Sequence, residues 1–309
     1  MKLKSSNKRT ISFLAILGLL VVLLFSFRQI NVNKSSKYPK TPEFEQKTSL
    51  DLIQISISEK SYKKLKKKRN QAIFVGILET EDSDFVPATI TFNGIDFKAE
   101  IRLKGDWTSH LDGDKWSFRV KLKGDKTILG MRKFSLQHPR TRQYLNEWMY
   151  HNAMKRENLM GLRYNFAEGS IHIKTKKNNY VNLDVGIYAV EESFDKRTIE
   201  SNGRKESVIL KFSEDYWWNE VKKSNAISKN YGLGEMDFIN GYPISKAKHP
   251  ITVFSESKVL EDATMHSYFK LGKNLLENSR LNKITLDQAF DIKKLAMDTA
   301  LMNLFGAIH

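Results

Sequence analysis

The sequence predicts an α+β protein with an antiparallel sheet in the N-terminal half of its folded domain, preceded by one transmembrane helix. Three observations lead to this fold class. Several segments between residues 50 and 212 alternate apolar and polar side chains, as half-buried strands do. Segments with helical periodicity follow, mainly after residue 256. Residues 11–27 are 17 consecutive residues without a charge, close to the shortest helix that spans a membrane.

The apolar segment 11–27 predicts a signal anchor that is not cleaved, because no small-x-small cleavage site follows it. A secretory signal peptide is the alternative. Basic residues flank the segment on both sides, so the positive-inside bias is slight. An anchor of this kind leaves residues 1–10 in the cytoplasm, and we predict a single-pass membrane protein with an extracytoplasmic main domain. Residues 28–49 form the predicted linker, and residues 50–309 form the predicted domain.

The amino-acid composition limits the classes of protein to which this chain can belong. The chain has 309 residues, enough for one large domain with a proper core. Its net charge of +16 predicts attraction to polyanions, which include nucleotides, nucleic acid, acidic glycopolymers and anionic lipid. The absence of cysteine excludes thiolate catalysis, disulfides and cysteine-based zinc sites.

The first part of the domain predicts a strand, a helix and a β-meander. LDLIQISI, residues 50–57, alternates as a strand does, and Ser58 is a plausible N-cap of the next helix. That helix is rich in lysine, which we interpret as a solvated face rather than a nucleic-acid or membrane surface. Asn93-Gly94 is a strong hairpin signal within the meander, which runs from 85 to 122.

The stretch RLKGDWTSHLDGDKWSFRVKL, residues 102–122, places several cations on one face of two predicted strands. Asp112, Gly113 and Asp114 lie where the chain must reverse. An Asp-x-Asp pair could bind a metal ion, but a turn explains these residues more simply. We therefore predict no metal site.

Later segments are predicted by periodicity. We expect a helix whose apolar stripe contains Leu145, a hairpin around 176–179, a strand over 206–212, an irregular insertion over 213–250 and a helix over 257–278. Thr285 and Gln288 form a capping box that opens a final helix. Known catalytic signatures such as a Walker loop, Gly-x-Ser-x-Gly or HExxH do not occur in the sequence.

Four segments, in this order, resemble the CotH kinase family, which is named for a spore coat protein kinase. Residues 102–122 resemble its Arg-x-(Lys/Arg)-Gly stretch and its Lys-x-Ser-(Phe/Tyr)-Arg-x-Lys strand. Residues 140–173 resemble the helix and strand that follow. Residues 184–197 resemble a Gly-x-Tyr-x-x-x-Glu motif that ends at Glu192, or at Glu191 if the register shifts by one. VILKF, residues 208–212, resembles a strand that carries a lysine.

The resemblance implies an atypical protein-kinase-like fold, ATP with Mg or Mn as cofactors, and phosphoryl transfer to an extracytoplasmic protein or glycopolymer. Such a reaction needs cations on the phosphates, metals held by carboxylates and an acid for the hydroxyl proton. The cofactor-binding candidates that it implies are Arg102, Lys104, Arg119, Lys121, Glu192 and Lys211. The resemblance implies catalytic acids in the segment after the last helix, and the sequence stops within that apolar helix at MNLFGAIH, so these acids are expected beyond His309. We therefore expect the C-terminal part of the domain to be missing and leave open whether this chain is itself an enzyme.

Two hypotheses about function follow. The chain is a membrane-anchored phosphotransferase, or it is a non-catalytic envelope or coat protein whose basic surface binds an acidic polymer or a protein partner. Nucleic acid is not an expected partner, because the predicted anchor would place the domain outside the cell.

Overall fold

Seven strands of the domain close into a barrel in the structure, a computed structural model that describes residues 49–176, 179–230 and 249–306. The order of strands around the barrel is β1, β2, β3, β4, β5, β7, β6. Their bounds are Asp51–Ser58 for β1, Val86–Phe92 for β2, Ile95–Leu103 for β3, Phe118–Leu122 for β4, Lys133–Gln137 for β5, Tyr164–Lys174 for β6 and Tyr180–Glu192 for β7.

The predicted fold class, a kinase-like domain with an antiparallel sheet, is wrong. β6 returns beside β1 and pairs with it in parallel from Asp51↔Ala167 to Ser58↔Lys174, which joins the two edges of the sheet. The remaining neighbours are antiparallel. Alternation along a strand shows which side chains are buried but carries no information on the strand that pairs with it, so closure was not predicted.

The inward side chains of the strands fill the barrel. Ile55, Ile90, Ile101, Val120 and Phe134 each have 0% of their surface exposed. The residues between them in sequence point outward, because successive side chains of a strand lie on opposite faces. The cations of residues 102–122 are therefore on the outer surface, between buried neighbours such as Ile101 and Leu103.

Two local predictions about the first part of the domain are confirmed. Ser58 caps helix α1 (Glu59–Val75) by accepting a hydrogen bond from the Ser61 amide at 3.1 Å. Asn93 and Gly94 join β2 to β3 with φ angles of +48° and +82°. Positive φ at both positions is the requirement of a type I′ hairpin turn.

The second half of the domain departs from the sequence expectations. Helix α2 (Asn146–Arg156) forms, but Leu145 of its predicted stripe is 53% exposed, and Glu147 and His151 are buried instead. Helix α3 (Lys196–Ser201) follows the Asp195 cap, whereas Glu191 and Glu192 still belong to β7. The predicted strand 206–212 shortens to β8 (Leu210–Phe212), which pairs with β9 (Ile251–Val253).

The predicted irregular insertion contains helix α4 (Asp215–Asn230), and residues 231–248 lie outside the described part of the chain. The predicted helix 257–278 is split at Asp262 into α5 (Glu256–Glu261) and α6 (Ala263–Arg280). The Thr285–Gln288 capping box is confirmed, although it opens only the short α7 (Leu286–Ala289). Helix α8 (Ile292–Phe305) ends at Gly306, which has φ +62° and provides its C-cap.

The membrane predictions do not hold for the described chain. Within the described ranges, no helix is long and apolar enough to cross a membrane. The segment 11–27, which carried the predicted anchor, lies outside them. We therefore do not retain the transmembrane helix, the membrane as a partner or the single-pass, extracytoplasmic localisation.

Candidate functional site

The candidate site is a charged patch on the outer surface of the barrel, where β3, β4, β5 and β7 are neighbours. We call it the charged face and define it by seven side chains. They are Arg102, Lys104, Arg119, Lys121, Lys133, Gln137 and Glu191.

Two rows of cross-strand partners give this face an unusual charge pattern. Arg102 lies directly opposite Arg119, and Lys121 lies directly opposite Lys133. Like charges at directly opposed positions destabilise a sheet. The face therefore concentrates four cations on two successive rows, about 7 Å apart along the strands.

Nearby groups offset part of this repulsion. The Phe85 ring lies under Lys121 Nζ at 3.9 Å and under the Arg102 guanidinium carbon at 5.3 Å, in two cation–π contacts. Lys121 also forms an ion pair with Asp82 at 3.0 Å. Arg119 donates a hydrogen bond to the hydroxyl of Ser193. Burial and then the Arg119 charge lower the pKa of Arg102 from its ordinary value.

Lys104, Gln137 and Glu191 form a closed set of contacts, which we call the Lys104 network. Lys104 Nζ donates to Glu191 Oε2 at 2.9 Å and to Gln137 Oε1 at 2.7 Å. Gln137 Nε2 in turn donates to Glu191 Oε2. Only 12% of the Lys104 side chain and 14% of the Glu191 side chain are exposed.

Burial and charge act in opposite directions on this pair. Burial lowers the pKa of Lys104 to about 8, against the attraction of Glu191. Burial would raise the pKa of Glu191, but the cations Lys104, Arg142 and Arg119 together hold it well below its ordinary value. Glu191 is therefore a carboxylate at neutral pH, and Lys104 is mainly an ammonium ion.

Helix α2 and the short 3₁₀ turn before it bring further charged groups to the face. Arg142 Nε and Glu147 Oε1 are 3.4 Å apart. Burial raises the pKa of Glu147 to about 7, with Arg142 opposing the rise and Glu191 adding to it. His151, also on α2, has its pKa lowered by burial to about 4. On the α2 side of the site, burial therefore favours the neutral forms of Glu147 and His151 more than water would.

Several buried polar atoms beside the charged face have no hydrogen-bond partner among the described residues. They are Arg102 Nε, Ser135 Oγ, Tyr164 OH and Arg142 Nε, the last of which has an ion pair with Glu147 Oε1 at 3.4 Å but no hydrogen bond. Ser135 and Tyr164 are the cross-strand neighbours of Glu191, on either side of it. All four atoms can donate a hydrogen bond, and buried donors normally have an acceptor.

A cleft of about 730 Å³ opens beside the Lys121–Lys133 row. Seven basic and five acidic side chains line it, and three of those acids pair with Lys123 and Lys196 within 3.7 Å. Lys133 and Lys258 line the cleft without an ion pair to any described acid. Its apolar lining includes Ile209, Phe254 and Met265.

The structure brings together four of the six predicted cofactor-binding residues, namely Arg102, Lys104, Arg119 and Lys121. Glu192 and Lys211 lie elsewhere. Glu192 is 3% exposed, points to the opposite side of β7 from Glu191 and pairs with Arg163. Lys211 lies on β8, exposed, with its Nζ 5.2 Å from the centre of the Phe254 ring.

The residues that our sequence analysis missed are Lys133, Gln137 and Arg142, and Glu191 was only its alternative to Glu192. Lys133 follows a turn and alternates with buried Phe134, so its outward direction could be predicted, but its strand partner could not. Gln137 and Arg142 carry no sequence signal, because a single polar residue near a strand end is common.

The implied cofactor, ATP with Mg or Mn, fits the site only in part. The cations and the buried donors suit phosphate oxygens, which accept hydrogen bonds. Within the described ranges, no group of three His, Asp or Glu side chains is arranged to hold a metal ion. We therefore derive no step through a metal.

Comparison with protein families and with curated proteins adds no relative. No protein-family model matches the chain, and none of the curated proteins is significantly similar to it. The resemblance to the CotH kinase family stays a prediction.

Proposed function

We propose that the protein binds a phosphate-bearing compound at the charged face and in the adjoining cleft. The observation that carries this proposal is the pair of opposed cation rows, Arg102–Arg119 and Lys121–Lys133. Such rows cost stability unless an anion compensates them, and the described acids compensate them only in part. A phosphate group supplies both the missing charge and the acceptors for the buried donors.

The cleft favours a ligand that has an apolar body beside its phosphates. Its apolar side chains Ile209, Phe254 and Met265 share a wall with the cationic Lys258. Ligand sites are commonly apolar with a few placed polar groups. ATP, which the family resemblance implies, has this character and is the first compound to test.

Phosphoryl transfer is the reaction that we propose for the bound compound, on the strength of the resemblance and of the Lys104 network. An ion pair between a lysine and a glutamate beside bound phosphates would hold the lysine toward them. The acceptor hydroxyl and the catalytic acid are not assigned to any described residue.

Binding of an acidic polymer without catalysis is the second candidate. Helix α1 favours it, because its exposed lysines Lys60, Lys66 and Lys67 have no ion pair among the described residues. A run of such lysines suits an extended polyanion better than one nucleotide.

Calorimetry on the full chain with ATP, pyrophosphate and polyglutamate distinguishes the candidates. We expect ATP and pyrophosphate to bind, and Arg119→Ala and Lys121→Ala each to weaken them by about tenfold, since one charge-assisted contact is lost. Lys66→Ala on α1 is the matched control and should leave both affinities unchanged. If all three variants bind ATP and pyrophosphate as tightly as the wild type does, the phosphate site is refuted. If the protein binds polyglutamate and only Lys66→Ala weakens that binding, the acidic-polymer candidate is favoured.

A further inference from the structure

We infer that Gln137 is a positioning residue that fixes the amine of Lys104 and the carboxylate of Glu191 in one arrangement. The inference rests on the proposed function for its purpose, since the anion would be the group that Lys104 serves. No sequence pattern indicated Gln137. The evidence for the inference is the set of contacts that its fully buried side-chain amide makes.

Gln137 is the link between two chain segments that are far apart in sequence. It lies at the end of β5, with 0% of its surface exposed. Its side-chain oxygen accepts from Lys104 Nζ at 2.7 Å, 33 residues away, and its side-chain nitrogen donates to Glu191, 54 residues away. Lys104 and Glu191 also touch each other directly at 2.9 Å, so the three side chains close a triangle.

A side-chain amide fits both contacts at once, because its oxygen accepts and its nitrogen donates. The ammonium of Lys104 has donors and needs an acceptor, whereas the carboxylate of Glu191 has acceptors and needs a donor. A leucine at this position would offer neither group. A glutamate would accept from Lys104 but would place a second carboxylate against Glu191.

The arrangement matters because Lys104 follows Arg102 by two residues and continues the outward side of β3. An ion pair alone leaves a lysine with many rotamers, because its side chain has four rotatable bonds. The second acceptor removes much of that freedom and holds the amine beside the Arg102–Arg119 row. In this way Gln137 would act on an anion through Lys104, without touching it.

Carbon NMR of lysine side chains in the labelled full chain tests the inference without any ligand, with Lys104→Arg used to assign the signal. We expect Gln137→Leu to lower the titration midpoint of Lys104 and Gln137→Glu to raise it, each by about one pH unit. Gln54→Leu is the matched control, because Gln54 lies outward on β1 and, among the described residues, its side chain bonds to nearby Ser56. In Gln54→Leu, the titration midpoint of Lys104 should equal that in the wild type.

A merely structural role for Gln137 would lower stability without moving the Lys104 midpoint in opposite directions. Unchanged midpoints in folded Gln137→Leu and Gln137→Glu would overturn the inference. If Gln137→Leu fails to fold, Gln137→Met, which also lacks the amide, is measured in its place and should lower the midpoint. Gln137→Glu does not decide alone, because a carboxylate raises the midpoint by its charge.

Pyrophosphate calorimetry at pH 7.5 separates this inference from the proposed function. Opposite midpoint shifts together with about tenfold weaker binding in Gln137→Leu support both. Opposite shifts in a chain that binds no pyrophosphate support the positioning of Lys104 and refute the phosphate site. Binding that persists with unmoved midpoints supports the phosphate site and refutes the role of Gln137.

Discussion

Gly105 lies next to the charged face and allows a close approach that no other residue could provide. Its φ of +103° lies in the region that L-residues rarely adopt, and an added Cβ would overlap the ring of His110. His110 is 6% exposed, and its Nδ1 lies 3.1 Å from the hydroxyl of buried Ser117. The chain reversal between β3 and β4 is therefore packed tightly at one glycine.

We predict that Gly105→Ala destabilises the protein by about 3 kcal/mol, from backbone strain together with overpacking. Gly113→Ala is its matched control in the same connection, with φ +55° and open space around the added Cβ. It should cost only about 1 kcal/mol. Urea unfolding measures both, and equal losses would contradict the close approach to His110.

Glu147 gives a prediction about pH. Its ordinary pKa of 4.5 is raised by burial to about 7 in the folded protein. Between these values the unfolded chain loses the proton and the folded chain keeps it. The contribution of Glu147 to stability is therefore complete below pH 4.5 and declines as the pH rises to about 7.

We expect Glu147→Gln to remove that decline, which is on the order of 3 kcal/mol across the window. The measurement is the free energy of unfolding of both proteins at several values between pH 4.5 and 8. Glu157→Gln, at an exposed position after α2, serves as the control. A wild type and a Glu147→Gln variant with parallel pH curves would show that Glu147 titrates normally.

Helix α2 connects the site to the C-terminal helix α8. One face of α2 carries Glu147 and His151 toward the barrel, and Tyr150 donates a hydrogen bond to Asp298 of α8 at 2.6 Å. Asp298 is partly buried where it accepts this hydrogen bond. The contact ties α2 to α8.

We predict that Tyr150→Phe lowers the free energy of unfolding by about 1 kcal/mol, because it removes a partly exposed hydrogen bond to a carboxylate. Tyr144→Phe, at a tyrosine that is 60% exposed, should change it by less than about 0.5 kcal/mol. Denaturant titrations of the two variants make the comparison. Equal midpoints would mean that the Tyr150 hydroxyl does not bind α8.

At the scale of the whole molecule, the parallel pairing of β1 with β6 turns a sheet into a barrel. β1 thereby has a neighbour on both sides, β2 across Ile53–Ser56 and β6 across Asp51–Ser58. An edge strand in an open sheet would leave every second amide without a partner. Closure also gives β6 a second neighbour, so β7, the strand that carries Glu191, does not lie next to an open edge.

Hydrogen exchange tests closure directly. We predict that the consecutive amides of residues 53–56 are all protected and exchange only on global unfolding. The amides of 89–92 on β2 are the internal reference. If every second amide of β1 exchanges rapidly while β2 stays protected, β1 is an edge strand and the barrel is open.

How much the sequence could predict is clearest from individual residues. Arg119 and Lys121 were placed on one face because they alternate with residues that prove to be buried, Phe118 and Val120. The Ser58 cap and the Asn93-Gly94 turn were predictable because each depends on the chemistry of a few adjacent residues. The choice between Glu191 and Glu192 could not be predicted, since it depends on the register in which β7 pairs with β5.

Local sequence patterns were enough to predict the strands up to Leu122, the hairpin turn and the accumulation of cations on one side of β3 and β4. These follow from the period of two and from local turn chemistry. Three features became visible only in the three-dimensional structure: the sheet closes, Glu191 rather than Glu192 contacts Lys104, and Gln137 contacts both of these side chains. The physical reason is that alternation fixes the relative directions of side chains within one strand, whereas the pairing of strands depends on contacts between residues far apart in the chain.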